Sequence, residues 1–286
     1  RAMSKLAGSF YRPFLEHRDA AGRIHPNIKL HGTVSGRPSC SSPNLQALPR
    51  ASGNGPMDAG RHAVIAPEGW TIVSFDWSQI ELRLLAHYTQ DPNLMQAYTE
   101  DLDLHQMTAS FMSVDRDWAK RLNFGSVYGI GPSGFAKAAR ISEAKAKEVL
   151  SKWHDTYPSV RRLHRACENK AKSQGFVSMW TGRRKRYDND WECHKAMSGL
   201  IQGGVAEIMR HTITRAYREF EDSDDVRLFL QVHDDLLVYV REGAVADTVP
   251  VFKRIMEEFP FRVPIKTNVK AGRSWGSLQP TAGEDA

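Results

Sequence analysis

Residues Thr71 to Asp91 read TIVSFDWSQIELRLLAHYTQD, and this stretch places one carboxylate where an apolar strand gives way to a helix. Thr71 to Phe75 is β-branched and aromatic, the composition of a short, largely buried strand. Asp76 is expected to end it. From Ser78 onward, Ile80, Leu82, Leu84 and Leu85 fit a helix with one apolar side, and Ser78 followed three residues later by Glu81 has the pattern of a helix cap. A lone Asp in such a place reads most simply as a residue that helps start the helix. An acid fixed at the end of a rigid strand is also well placed to hold a cation, and Asp76 has company further along.

Val226 to Val240 reads VRLFLQVHDDLLVYV. Two apolar runs, Val226 to Val232 and Leu236 to Val240, flank His233, Asp234 and Asp235, which predicts a hairpin with an acidic tip. Adjacent carboxylates between two buried strands repel unless a cation or solvent screens them, although Asp-Asp is also common turn chemistry.

In Arg116 to Gly129, RDWAKRLNFGSVYG, the residues Arg116, Lys120, Phe124 and Tyr128 recur every fourth position. Each step drifts only about 40° around a helix, so all four share one face. Two cations and two aromatics make a poor core stripe and an odd solvent face. They suit a ligand with a polyphosphate at one end and a planar base at the other.

Together these stretches resemble motifs A, B and C of the family A DNA polymerases of bacteria, phages and organelles. Motif A, D-Y-S-Q-I-E-L-R, is matched by Asp76, Ser78, Gln79, Ile80, Glu81, Leu82 and Arg83, with Trp77 replacing Tyr. Motif B, R-x3-K-x3-F-x3-Y-G, is matched by Arg116, Lys120, Phe124, Tyr128 and Gly129. Motif C, Q-V-H-D-E, appears as Gln231, Val232, His233 and Asp234, with Asp235 replacing Glu. The resemblance runs from about Arg23 to Trp275.

The fold it implies is α+β: a right-hand palm with an antiparallel sheet and a helical fingers insertion, the thumb largely absent. Residues 1–22 would be a remnant of the thumb-to-palm helix, with Met3, Leu6, Phe10, Tyr11 and Phe14 at helical spacing. Residues 23–98 would be the first part of the palm, 99–195 the fingers and 196–286 the second part of the palm. A chain so placed is expected to be either a fragment of a longer protein or a polymerase that dispenses with the thumb.

The activity implied is transfer of deoxynucleotides to a primer 3′-hydroxyl with the aid of two Mg2+ ions, Mn2+ being a substitute. Asp76 and Asp234 would bridge the ions, the Trp77 backbone carbonyl would ligate one, and Asp235, shorter than Glu, would act indirectly. Arg116 and Lys120 would take the β- and γ-phosphates, Lys120 also serving as general acid. Gln79, Phe124, Tyr128 and His105, the last in the Asp103-Leu104-His105 segment, would line the nucleotide site. Glu81 would close the space beneath the sugar and exclude ribonucleotides, and Phe124 in place of Tyr implies discrimination against dideoxynucleotides.

On the DNA side the resemblance implicates Arg37, Asn44 and Gln46 in TVSGR…SSPNLQ, Gln202 in the Q-G pair, and His233. The basic turn Thr181 to Tyr187 reads either as a phosphate contact or as a solvated turn. Partners would be primer-template DNA, dNTPs, and either a processivity factor or the absent thumb and exonuclease portion. One rival is a single-subunit RNA polymerase, against which Glu81 argues. The other is a thumb-less fragment that binds primer-template but acts only within a larger chain or assembly.

Composition fits this reading. The net charge of +6 and pI near 9.2 suit a polyanionic partner. Cys40, Cys167 and Cys193 have neither zinc-site nor disulfide-framework spacing. With no apolar run long enough to span a bilayer and no signal-peptide pattern, no membrane association is expected. The cytoplasm of a bacterial or phage-infected cell is the expected setting, an organelle the alternative. Ala51 to Gly60 is expected to be a small-residue connection, and the tail from Gln279 to Ala286 to fray.

Overall fold

The computed structural model describes residues 7–49 and 59–281. Met3, Leu6, most of the Ala51 to Gly60 connection and the end of the tail lie outside these. By contacts the chain forms two compact units. The first holds residues 1–78, 209–258 and 266–286, the second residues 79–208 and 259–265.

The first unit is built on a five-stranded antiparallel sheet. Its strands are β1 (Trp70–Trp77), β2 (Val226–Val232), β3 (Asp235–Arg241), β4 (Thr267–Gly272) and β5 (Gln279–Pro280), in the spatial order β2-β3-β1-β4-β5. Strand β1 lies at the centre and is longer than the sequence suggested. It runs through Asp76 to Trp77, because both of its neighbours continue the ladder to that point: Asp76 pairs with Asp235 on β3 and with Asn268 on β4.

The two-residue periodicity of β1 sorts its side chains. Phe75 stacks on Phe252 with ring centroids 4.7 Å apart, and Phe252 on Phe220 at 4.9 Å. The Trp77 indole N–H donates to the Met256 carbonyl at 2.9 Å. That face is therefore covered by helices, α9 (Val245–Glu257) and the end of α8 (Ala196–Phe220). Ile72, on the other face, joins a cluster with Phe14, Leu45, Leu48, Leu230, Leu237 and Trp275. Ser74 and Asp76 follow Ile72 on this second face.

The second unit is mainly helical. Its helices are α1 (Ile80–Thr89), α2 (Pro92–Thr99), α3 (Leu104–Met112), α4 (Arg116–Val127), α5 (Pro132–Ala139), α6 (Glu143–Thr156) and α7 (Pro158–Gln174). A small hairpin pairs Phe176–Ser178 with Arg184–Arg186, and the first part of α8 completes the unit. Gly203 and Gly204 of α8 lie in close packing: a Cβ at Gly204 would lie 2.6 Å from a Leu84 methyl, and one at Gly203 would lie 2.1 Å from the end of the flexible Met179 side chain, which would have to move.

Several local expectations are corrected. Ser78 does not cap α1; Gln79 does, in the left-handed region at φ 54°, and its side chain makes no capping bond. Between α6 and α7 the chain breaks at Tyr157, and Pro158 opens α7 in its first turn, where its missing N–H costs nothing. The alternation of Val263, Ile265 and Val269 suggests a strand from Phe261 to Val269, but the strand begins only at Thr267, and Val263 and Ile265 are buried in irregular backbone.

Candidate active site

In the first unit the acidic residues meet at one end of the sheet. Strands β2 and β3 are joined by the two-residue turn His233-Asp234, with Val232 opposite Asp235. His233 sits at φ 59°, the sign a tight hairpin turn demands at its first central position. A chain of amides secures the turn. The Gln46 side-chain nitrogen donates to the Gln231 carbonyl at 3.0 Å and to Gln231 Oε1 at 3.1 Å, while Gln231 Nε2 donates to the His233 carbonyl.

The Trp77 N–H donates to the Asp234 carbonyl at 3.4 Å. In an antiparallel strand a residue's N–H and C=O point to the same side, so the Trp77 carbonyl is directed toward the turn that carries Asp234. Asp76 faces Asp235 in the neighbouring, non-hydrogen-bonded pair, the closer of the two antiparallel spacings. Ser74, two residues before Asp76 on the same face, donates to Asp235 Oδ1 at 2.7 Å. Asp76, Asp234 and Asp235 are each partly buried.

Among the described residues no group of three or more His, Cys, Asp and Glu side chains is placed to hold a metal ion. The hard oxygens at the sheet end, the Asp76 and Asp234 carboxylates and a peptide carbonyl, are of the type that suits a hard divalent cation whose remaining positions are filled by substrate and water.

Two further residues expected at the DNA, Arg37 and Asn44, lie outside the sheet and the long helices. Arg37 is partly buried and its carbonyl accepts from Thr33 Oγ1 at 2.6 Å. Asn44 is exposed at the start of a single 3₁₀ turn.

In the second unit, α4 displays the face expected from the four-residue spacing. Arg116, Lys120 and Tyr128 are exposed and Phe124 half-buried, while Ala119, Leu122, Asn123, Ser126 and Val127 form the buried side. Tyr128, the C-cap residue, donates its hydroxyl to Glu81 Oε2. Glu81 is 7% exposed, so this carboxylate is held at the edge of the open face. Gln79 Oε1 accepts from the Tyr98 hydroxyl at 3.1 Å. Gln202 is half-buried on α8.

Arg116 and His105 have surroundings that the spacing did not foretell. Arg116 Nε donates to Asp103 at 2.6 Å, and Asp103 also caps α3 by accepting from the His105 and Gln106 N–H groups. Partial burial would raise the Asp103 pKa; the bonds from Arg116 and the two backbone N–H groups outweigh it and hold the carboxyl below its ordinary value. His105 is 2% exposed, its Nδ1 lies 3.1 Å from Asn123 Nδ2, and burial pushes its imidazole down to about 4. It is therefore neutral near pH 7 and packed, its ring 5.7 Å from that of Phe124.

The basic hairpin is likewise internally committed. Arg183 pairs with Glu207 at 3.3 Å, Thr181 donates to the same carboxylate at 3.0 Å, and Arg184 lies over the Phe176 ring at 4.3 Å.

Three residues that build these sites were not singled out by sequence reasoning. Ser74 is one, and its signal was the two-residue step to Asp76 on the same strand face. Gln231 was read only as part of a motif, and its clamp on the turn depends on Gln46, distant in sequence. Asn123 lies on the buried side of α4, where a polar residue in an otherwise apolar pattern was a visible anomaly.

The chain is similar to known proteins over nearly its whole length. The chain is 30% identical to DNA polymerase I of Helicobacter pylori (strain ATCC 700392 / 26695) over 98% of its length, covering 33% of that protein. It is 32% identical to the thermostable DNA polymerase I of Thermus aquaticus over 98%, covering 36%. The chain thus spans about a third of the relatives it matches. Its structure superposes with a TM-score of 0.87 on the POL domain of Pol1 from M. smegmatis, solved in complex with DNA primer-template and dNTP. That match has 29% identity and covers 93% of this chain and 50% of the other. Residues 1–277 match the family described as DNA polymerase family A, and the chain belongs to that family.

Proposed function

We propose that this chain is the nucleotidyl-transfer core of a template-directed DNA polymerase, extending a primer 3′-hydroxyl with deoxynucleotides. The observation that carries the reading is the paired register of Asp76 and Asp235 with the Trp77–Asp234 hydrogen bond, which gathers hard oxygen donors at one end of a rigid sheet.

Asp76, Asp234 and the Trp77 carbonyl would hold two Mg2+, with Mn2+ as a substitute. When bound, the ions acidify the primer hydroxyl and neutralise charge on the leaving pyrophosphate. Asp235, tied to Ser74, acts indirectly by fixing the local charge and the start of β3. Lys120, which among the described residues has no ion-pair partner, binds the β- and γ-phosphates and protonates the departing pyrophosphate. Arg116 joins it by exchanging Asp103 for phosphate oxygens.

Phe124 and Tyr128 offer flat surfaces to the base and sugar. Glu81, held by Tyr128, limits the space at the sugar 2′ position, and Gln79 supports the same wall through Tyr98. His105 faces the phosphates from beneath the open face. Arg37, Asn44, Gln46, Gln202 and His233 serve the primer-template, mostly through backbone and minor-groove contacts that do not read sequence.

The proposed setting is the cytoplasm of a bacterial or phage-infected cell. No described helix is long and apolar enough to cross a membrane. Primer extension with and without divalent cation tests the reading. Extension that persists in excess chelator would refute it.

A further inference from the structure

Asn123 lies at the centre of a buried polar network in which the orientation of its amide is determined. It is 1% exposed, and Thr108 and Tyr157 beside it are 0% exposed. Trp153 Nε1 lies 2.8 Å from Asn123 Oδ1. An indole N–H only donates, so the atom facing it must be the amide oxygen, and this fixes the orientation of the amide. Its nitrogen then faces His105 Nδ1 at 3.1 Å and Thr108 Oγ1 at 3.0 Å.

The amide nitrogen has two protons and no acceptor capacity, so both neighbours must accept. Thr108 can do so whichever acceptor takes its single proton, the Leu104 carbonyl at 2.8 Å or Asn123 Oδ1 at 3.2 Å, and its oxygen also lies 2.8 Å from the Tyr157 hydroxyl. His105 Nδ1 must also accept, and the proton of a neutral ring is then on Nε2. That nitrogen has no hydrogen-bond partner among the described residues. The charged groups acting on the ring are Asp103, Arg116 and Lys120, two of which belong to the phosphate-holding face proposed above.

We infer that Asn123 is a positioning residue that locks His105 as its Nε2-protonated neutral tautomer, so that the ring presents an N–H donor to the nucleotide triphosphate. The inference rests on the proposed polymerase reading for the identity of the ligand. The tautomer itself does not depend on it. A neutral donor in this place adds a hydrogen bond to phosphate oxygen without a further cation beside Arg116 and Lys120. The same network ties α4 to α3 and, through Trp153 and Tyr157, to α6, so the tautomer is set by residues from three helices.

The test is nitrogen NMR of the chain with 15N-labelled histidine near neutral pH, run beside primer extension. In the wild type, His105 is expected to show a pyridine-type Nδ1 and a protonated, pyrrole-type Nε2. In Asn123→Asp an acceptor replaces the donor, and the Nδ1 signal should become pyrrole-type while KM for dNTP rises about tenfold, the scale of one lost hydrogen bond. Trp153→Phe keeps the ring but removes the donor that orients the amide; it should leave His105 in mixed tautomers and carries the test if Asn123→Asp does not fold.

A protonated Nδ1 in the wild type, or a pyridine-type Nδ1 unchanged in the folded variants, would overturn the inference while leaving the polymerase reading intact. The expected tautomer in a chain that extends no primer would instead remove the triphosphate from the account, and with it the proposed function.

Discussion

Asp76 and Asp235 stand directly opposite each other on adjacent antiparallel strands, and Ser74, on the same face, donates a 2.7 Å hydrogen bond to Asp235. Two carboxylates in that relation repel unless the charge is managed. Here Asp235 is tied to a hydroxyl, while Asp76 precedes Trp77, whose N–H donates to the Asp234 carbonyl. The division of labour predicts unequal mutations. Asp76→Ala and Asp234→Ala should each lower the rate of primer extension by roughly 10³-fold or more, the scale for losing a principal electrostatic element. Ser74→Ala should cost about 1 kcal/mol of stability and no more than about tenfold in rate. Single-turnover extension and denaturant unfolding of the same samples would check both, and an inactive Ser74→Ala with wild-type stability would contradict the assignment.

The bond from Tyr128 to Glu81 predicts a graded loss of sugar selectivity. Glu81→Ala should admit ribonucleotides, Tyr128→Phe should do so more weakly, and the double variant should fall short of the sum because both changes act on one contact. Competition between dNTP and NTP in single-nucleotide incorporation measures this directly. Unchanged selectivity in Glu81→Ala would remove Glu81 from the sugar site.

Arg116 is held by Asp103 at 2.6 Å, so Asp103 has two predicted effects. Asp103→Asn keeps an acceptor for the α3 cap and should leave stability within about 1 kcal/mol, while freeing Arg116 and lowering KM for dNTP. Asp103→Ala should lose about 1 kcal/mol as well. Equal KM values in the wild type and Asp103→Asn would show that Arg116 does not exchange partners.

Burial lowers His105 and His154 to about 4, below the ordinary histidine value of about 6.5. The unfolded chain therefore binds more protons than the folded one between those values, so stability rises with pH across that interval and is lost as pH falls through it. For His105 the effect is on the order of 2 to 3 kcal/mol at full extent. Urea unfolding at pH 7 and pH 5 should show the loss, and His105→Asn should reduce it. A flat profile in the wild type would contradict the burial of a neutral ring.

Much of this was legible because it depends on local periodicity. The four-residue spacing from Arg116 to Tyr128 identified the open face of α4, and two apolar runs around His233 to Asp235 identified the β2–β3 hairpin. What sequence could not supply was long-range. The length of β1 was underestimated because its last residues are held by Asp235 and Asn268, far along the chain. Likewise the engagement of Arg183 by Glu207 and of Arg116 by Asp103 depends on packing between elements, which the basic run alone does not show. The environment of Asn123 is set by three partners, His105 and Thr108 from α3 and Trp153 from α6, that its place in the sequence does not reveal.

The most direct measurement is primer extension by this chain with Mg2+ and dNTPs, beside Asp76→Ala, with folding of both verified by circular dichroism. The wild type should show template-directed extension, and the variant should lose it. Extension that survives in Asp76→Ala, or its absence in a folded wild-type chain supplied with metal and primer-template, would contradict the central claim.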